Sequence, residues 1–179
     1  MPIYLIRHGQ SEFNAAHTDG GPDPMIFDAA LTALGRSQAA AARAEAATLG
    51  IRHVICSPLT RAIQTAKIIF DDIAPITISA GPVEHLWHSC DMGRSPTSLR
   101  ADFPDLEFDH LPPIWWHQGP LNPNGVPEEP EALFHARIKA FAAELSETHP
   151  RPLAVVGHCN TFRSLAGFDM KNCEIRRYT

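Results

Sequence analysis

The sequence predicts an α/β fold, a three-layer α/β/α sandwich around a mostly parallel central sheet. Short β-branched and aromatic runs alternate with stretches of helical periodicity, and the runs read as strands buried on both faces. Three of these runs also end in polar, reactive-looking residues, as expected where a parallel sheet gathers a site beyond the carboxyl ends of its strands.

The elements follow in order. Ile3-Tyr4-Leu5-Ile6 is the first strand, closed by a polar turn containing Gly9. Leu31, Leu34, Gln38, Ala42, Glu45 and Leu49 then recur at helical spacing, with Thr32 as N-cap and Gly50 past the end. The alanines of that helix permit close packing on a sheet. His53-Val54-Ile55-Cys56 is the second strand. Ser57-Pro58 reads as the N-cap and first position of a helix running through Arg61, Gln64 and Ile68 toward Phe70. Ile76-Thr77-Ile78 is a short strand between Pro75 and Gly81-Pro82.

A third helix is predicted from about Pro130 to Thr148, with Leu133, Phe134, Ile138, Phe141 and Leu145 on its apolar face and Glu128, Glu129 and Glu131 near its positive end. Leu153-Ala154-Val155-Val156 is another buried strand, and Cys173 to Tyr178 a final edge strand. Between Glu84 and Pro127 periodicity is lost, and Ser95-Pro96 opens the one short helix expected there. So long a connection reads as functional, a substrate-covering insertion at about 85–127 within a single domain spanning 1–179.

Composition narrows the function classes. Apolar residues at 44% and charged residues at 20% are ordinary globular usage, and the length suits one core without staples. A net charge of −5 with scattered Lys and Arg disfavours nucleic-acid binding. Met1 to Ile6 is too short for the apolar core of a signal peptide, and no run approaches the roughly 18 to 20 apolar residues of a membrane span. With Cys56, Cys90, Cys159 and Cys173 far apart, reduced thiols in a cytoplasm are expected.

The three strand ends are Arg7-His8-Gly9, Ser57-Pro58-Leu59-Thr60-Arg61 and Gly157-His158-Cys159-Asn160. Brought together they place two guanidiniums and two imidazoles in one pocket. Guanidinium forks match phosphate oxygens, and helix openings near Pro58 and Asn160 would add backbone N–H groups. An imidazole among cations stays neutral and nucleophilic, so His8 is the candidate to attack phosphorus. Glu84, just beyond the third strand, is the carboxyl group placed to protonate the leaving oxygen and then activate water. Such a clamp calls for no metal or cofactor.

These segments resemble the histidine phosphatase superfamily, which includes the cofactor-dependent phosphoglycerate mutases. Leu5-Ile6-Arg7-His8-Gly9-Gln10-Ser11-Glu12-Phe13-Asn14 is similar to its opening signature, Leu31-Thr32 to Gly35 with Gln38 to the helix that follows, Ser57 to Ala66 to its second signature, and Val155-Val156-Gly157-His158 to its last. The resemblance implies a phosphoglycerate mutase-like fold, His8 as nucleophile, Arg7, Arg61 and His158 on the phosphoryl group, and Glu84 as proton donor. It also implies Gln10 and Asn14 as oxygen ligands. Leu86 to Gly93 departs from the family's Gly-x-Trp-Glu-Gly pattern after the acid.

The expected activity is metal-independent, histidine acid phosphatase-type hydrolysis of a small-molecule phosphomonoester through phospho-His8, with no nucleic-acid or membrane partner. The alternatives are phosphoglycerate mutase-type phosphotransfer and a non-catalytic phospholigand-binding module. His85, His88, His110 and His117 lack the partners of a metal site and read as loop histidines. Trp115 and Trp116 read as apolar cover, Cys159 as packing, and Arg43, Glu45 and Lys139 as a solvated helix face.

Overall fold

Alternate residues of each strand feed two separate cores, and that period of two sets the layering of the molecule. The computed structural model describes residues 2–147 and 150–179. Strands β1 (Ile3–Arg7), β2 (His53–Cys56), β3 (Ile76–Ile78), β4 (Leu153–Gly157) and β5 (Ile175–Arg177) form one sheet in the order β3-β2-β4-β1-β5. All neighbours are parallel except β5, which lies antiparallel along β1 as the expected edge strand.

The helices are α1 (Glu12–Ala16), α2 (Ala33–Ala46), α3 (Thr60–Phe70), α4 (Pro96–Asp102), α5 (Glu131–Glu147) and α6 (Cys159–Ala166), with a 3₁₀ turn at Ser89–Asp91. On one face of the sheet Ile6, Val54, Cys56, Ala154 and Val156 pack with Ala39, Ala46, Ala62, Ile63 and Ala66 of α2 and α3. On the other, Ile3, Leu5, Ile55, Leu153 and Val155 pack with Phe141 and Leu145 of α5 and Phe162 of α6. Each large side chain removed from water in these layers contributes about 1.5–3 kcal/mol before entropy is subtracted. The predicted α/β/α sandwich with a mostly parallel sheet is the observed fold.

Several local expectations are corrected. Thr32 does cap α2, accepting from the Gly35 N–H, but the helix stops at Ala46, three residues short of Leu49. Leu34 and Leu133 fall on solvent faces and are exposed. α3 starts at Thr60 with Leu59 in the cap position, so Ser57-Pro58 does not open it. Its first turn is capped from a distance: buried Asp28 accepts from the Thr60 N–H at 2.8 Å and from its hydroxyl at 2.5 Å. α1 was not expected; Ser11 and Asn14 build it through reciprocal side-chain to backbone bonds. The predicted end of the third helix at Thr148 lies outside the described residues. Glu129, expected to serve the positive end of α5, instead pairs with Arg137 at 2.8 Å.

The stretch without periodicity is built on contacts that no repeat would reveal. Leu99, Phe103, Leu106, Phe108, Leu111 and Trp115 are all buried and join the core beneath α3. Trp115 meets Trp116 edge to face and donates to the Arg94 carbonyl, so apolar cover is their observed place. Among the described residues no helix is long and apolar enough to cross a membrane.

Candidate active site

Strand register brings the site residues level with one another. Arg7 pairs with Gly157 and Cys56 with Val156, so His8, Ser57 and His158 emerge together at the carboxyl edge. The His8 N–H donates to the Gly157 carbonyl at 3.0 Å, and the rings of His8 and His158 lie 5.1 Å apart. The loop after β1 is pressed against the start of α2. A Cβ on Gly9 would sit 2.5 Å from the Gly35 carbonyl oxygen, and one on Gly35 would sit 2.1 Å from that of Gln10. Two glycines therefore let these segments touch.

A cavity of about 240 Å³ opens here, lined by residues that include Arg7, His8, Asn14, Arg61, Glu84 and Asp91. His8 is 4% exposed, and its Nδ1 lies 2.7 Å from the Gly9 carbonyl. A carbonyl can only accept, so Nδ1 carries the proton and Nε2 keeps its lone pair. That lone pair accepts from Arg61 Nε at 3.3 Å. Burial first, then the charges of Arg61 and Arg7, hold the His8 ring well below its ordinary pKa, which keeps it neutral. Desolvation is thus a larger cause than the cations to which the sequence points.

Arg61 is almost wholly buried. Its Nη1 donates to the Cys90 carbonyl at 2.6 Å and its Nη2 to Asp91 at 2.9 Å, so the guanidinium forms a buried ion pair as well as lining the cavity. Arg7 Nη1 donates to the Met170 carbonyl at 2.8 Å, while its buried Nε has no partner among the described residues. His158 is fully buried, and Nε2 lies 2.8 Å from the Ser57 hydroxyl while Nδ1 likewise has no partner among the described residues. Burial, then Arg61, keeps His158 well below the ordinary imidazole value too.

Glu84 is 8% exposed. Its carboxyl accepts from the backbone N–H groups of His85 at 2.9 Å, Asn160 at 3.2 Å and Thr161 at 3.1 Å. Burial and then Asp91 raise its pKa, and outweigh these bonds and Arg61, which pull it down. At the helix openings, α6 presents its Asn160 and Thr161 N–H groups to Glu84 and α3 its Thr60 N–H to Asp28.

Asn14 lines the cavity, with its Oδ1 engaged by the Ser11 N–H. Gln10 is not brought there; its Oε1 accepts from Thr32 at 2.8 Å and its N–H donates to Gln38, which ties the loop to α2. His85 stacks on Phe134, whereas His88 packs on Phe13 and His17, and among the described residues no group of three His, Cys, Asp or Glu is placed to hold a metal. Cys159 is half-buried on the cavity wall. Sequence reasoning missed Asp91, Asp28 and the part taken by Ser57. The one signal for Asp91 was that it lies in the stretch departing from the family pattern.

The sequence model of the histidine phosphatase superfamily (branch 1) matches residues 3–176. A protein of Enterobacter sp. (strain 638) named probable phosphoglycerate mutase GpmB is 44% identical over 71 residues, 40% of this chain and 31% of that relative, so the match spans under a third of the relative's length. The fold is similar to a solved mycobacterial glucosyl-3-phosphoglycerate phosphatase complexed with VO3, at TM-score 0.64 and 22% identity, covering 98% of this chain and 90% of that one. It is similar also to the alpha-ribazole phosphatase from Shigella flexneri, at TM-score 0.64 and 21% identity, covering 99% and 89%.

Proposed function

The chain belongs to the histidine phosphatase superfamily, and on that premise we propose that it hydrolyses small phosphomonoesters through a phosphohistidine on His8. The observation that supports this reading most is that two of the four buried polar side-chain atoms without a partner among the described residues, Arg7 Nε and His158 Nδ1, belong to residues flanking His8. Leaving a buried donor unmade costs about 1–3 kcal/mol, and phosphoryl oxygens are the partners that would relieve it. On this reading the Ser57 hydroxyl donates to His158 Nε2, which places the ring proton on Nδ1 as the donor to phosphate.

The chemistry balances on residues of this chain. Substrate draws Arg61 Nε off the His8 lone pair, and Nε2 attacks phosphorus as the bond to the leaving oxygen breaks. Arg7, Arg61 and His158 hold the equatorial oxygens, and the Glu84 carboxyl, its pKa raised by burial, gives a proton to the departing alkoxide. The resulting carboxylate then takes a proton from water, which attacks phosphorus, breaks the N–P bond and releases phosphate. The Arg7 and Arg61 charges supply the stabilisation that the loose transition state needs, so the reading assigns no metal and no cofactor. Residues 1–179 then form one domain whose insertion at about 85–127 meets the substrate through His88, Cys90 and Asp91, and four spread thiols suit a cytoplasmic setting.

The test is turnover of p-nitrophenyl phosphate in the presence of a metal chelator, with acid-labile label from ³²P-substrate trapped on the protein. His8→Ala should abolish both. Phosphate binding without turnover would favour a binding module instead. Return of the phosphoryl group to another oxygen of the same substrate would favour a mutase, the activity in the name of the Enterobacter relative.

A further inference from the structure

We infer that Asp91 is a positioning residue of this site: it fixes the Arg61 guanidinium for the phosphoryl group and shares the cavity with Glu84, on which its carboxylate acts. The inference rests on the phosphohydrolase reading above. Asp91 is 3% exposed and both its carboxylate oxygens are committed. Oδ1 accepts from Arg61 Nη2 at 2.9 Å, and Oδ2 accepts from the backbone N–H groups of His88 at 3.0 Å and Trp87 at 3.3 Å. The 3₁₀ turn that presents it also gives the Cys90 carbonyl to Arg61 Nη1 at 2.6 Å. One short turn thus grips both ends of the guanidinium.

Of the five N–H hydrogens of Arg61, Nε uses one on His8 and each terminal nitrogen uses one on this turn. One hydrogen remains on each terminal nitrogen to donate to phosphoryl oxygens. A buried arginine without an acidic partner would have many rotamers and a large desolvation cost; here the carboxylate settles both. The same charge acts on Glu84. The titratable and charged side chains around Glu84 are Asp91, Arg61 and Cys90, Arg163 of α6, and Arg137 of α5 with its paired Glu129. Among the negative groups Glu129 is paired with Arg137, and Asp91 is the one that favours the protonated acid which the first step consumes. The cost is weaker ground-state binding of phosphate, because Asp91 offsets part of the clamp's positive charge.

Asp91→Asn separates these effects. An amide oxygen can still accept from Arg61, but its NH2 then faces the Trp87 and His88 N–H groups, so the turn cannot satisfy both sides. With β-glycerophosphate as substrate, kcat should fall about 10- to 100-fold, as for a misplaced clamp. The alkaline limb of kcat/KM should move to lower pH relative to the unsubstituted protein, while inhibition by inorganic phosphate tightens several-fold. Asp91→Glu keeps the charge and should leave the limb in place while kcat falls. An unchanged kcat and limb in folded Asp91→Asn, or phosphate inhibition weakened in step with kcat, overturns the inference. Should Asp91→Asn not fold, Asp91→Glu decides it, since an undiminished kcat there overturns the positioning role. Absence of turnover in the unsubstituted protein is a separate result and strikes the phosphohydrolase reading itself.

Discussion

The Ser57 hydroxyl stands 2.8 Å from His158 Nε2 and ties together the carboxyl ends of β2 and β4, residues 101 positions apart in the chain. The serine expected to cap a helix instead partners a buried imidazole, and the direction of that hydrogen bond goes with the tautomer of the ring. That tautomer decides whether His158 Nδ1 can donate toward a bound anion.

Ser57→Ala should therefore lower kcat for an aryl phosphate by about 10- to 100-fold without changing the fold, through a loosely held His158 ring. The buried Nε2 loses its partner as well, so stability should drop by about 1–3 kcal/mol. Denaturant titration alongside steady-state kinetics checks both. Full activity in the alanine variant would remove Ser57 from the site.

Glu84→Gln should slow alkyl phosphates by about 10²- to 10⁴-fold and aryl phosphates far less in the first step, because an aryloxide leaves with little protonation. Rates of phosphohistidine formation for the two esters, measured in single-turnover experiments, give the comparison. Equal losses would move the acid role to another group.

Gly35→Ala tests the contact that seats His8. The new methyl group would sit 2.1 Å from the Gln10 carbonyl oxygen, backbone against backbone, with little room to yield. Overpacking of this kind costs about 1–3 kcal/mol. The loop carrying Gly9 should shift with it, so a lower unfolding midpoint should come with a lower kcat. A midpoint that falls while activity holds would show that the loop moves independently of His8.

The two buried imidazoles make stability depend on pH. Both rings have folded pKa values depressed below the ordinary 6.5, so the unfolded chain binds more protons in the interval between them. Their contribution is complete above about pH 6.5 and is lost as pH falls toward the folded values, by up to about 1.4 kcal/mol per pH unit for each ring. Glu84, raised by burial, acts in the opposite sense, losing stability as pH rises. Chemical denaturation between pH 7 and pH 5 should show the decline, and His8→Gln should flatten it. An equal slope in the variant would mean that other groups carry the dependence.

Much of this was legible from residue order. The strands announce themselves through Ile3 to Ile6, His53 to Cys56 and Leu153 to Val156, because a strand buried on both faces needs an unbroken apolar run. The reactive residues at their ends follow from the rule that a parallel sheet presents its carboxyl edge to ligands. Glu84 was readable from its place after β3. Gln10 was misplaced, because an amide serves equally well as a loop anchor, and only the approach of Thr32 and Gln38 decides which.

By itself, then, the sequence determined the layer architecture, the family and the residues carrying reactive groups, since periodicity and signature motifs are local properties of the chain. Tertiary structure alone decided which partner each polar group takes: Asp28 on α3, Glu84 on α6, Asp91 on Arg61 and Ser57 on His158. The physical reason is that a buried donor or charge must find its partner within about 3 Å. Residues 30 to 100 positions apart reach that distance only after both cores have closed around them.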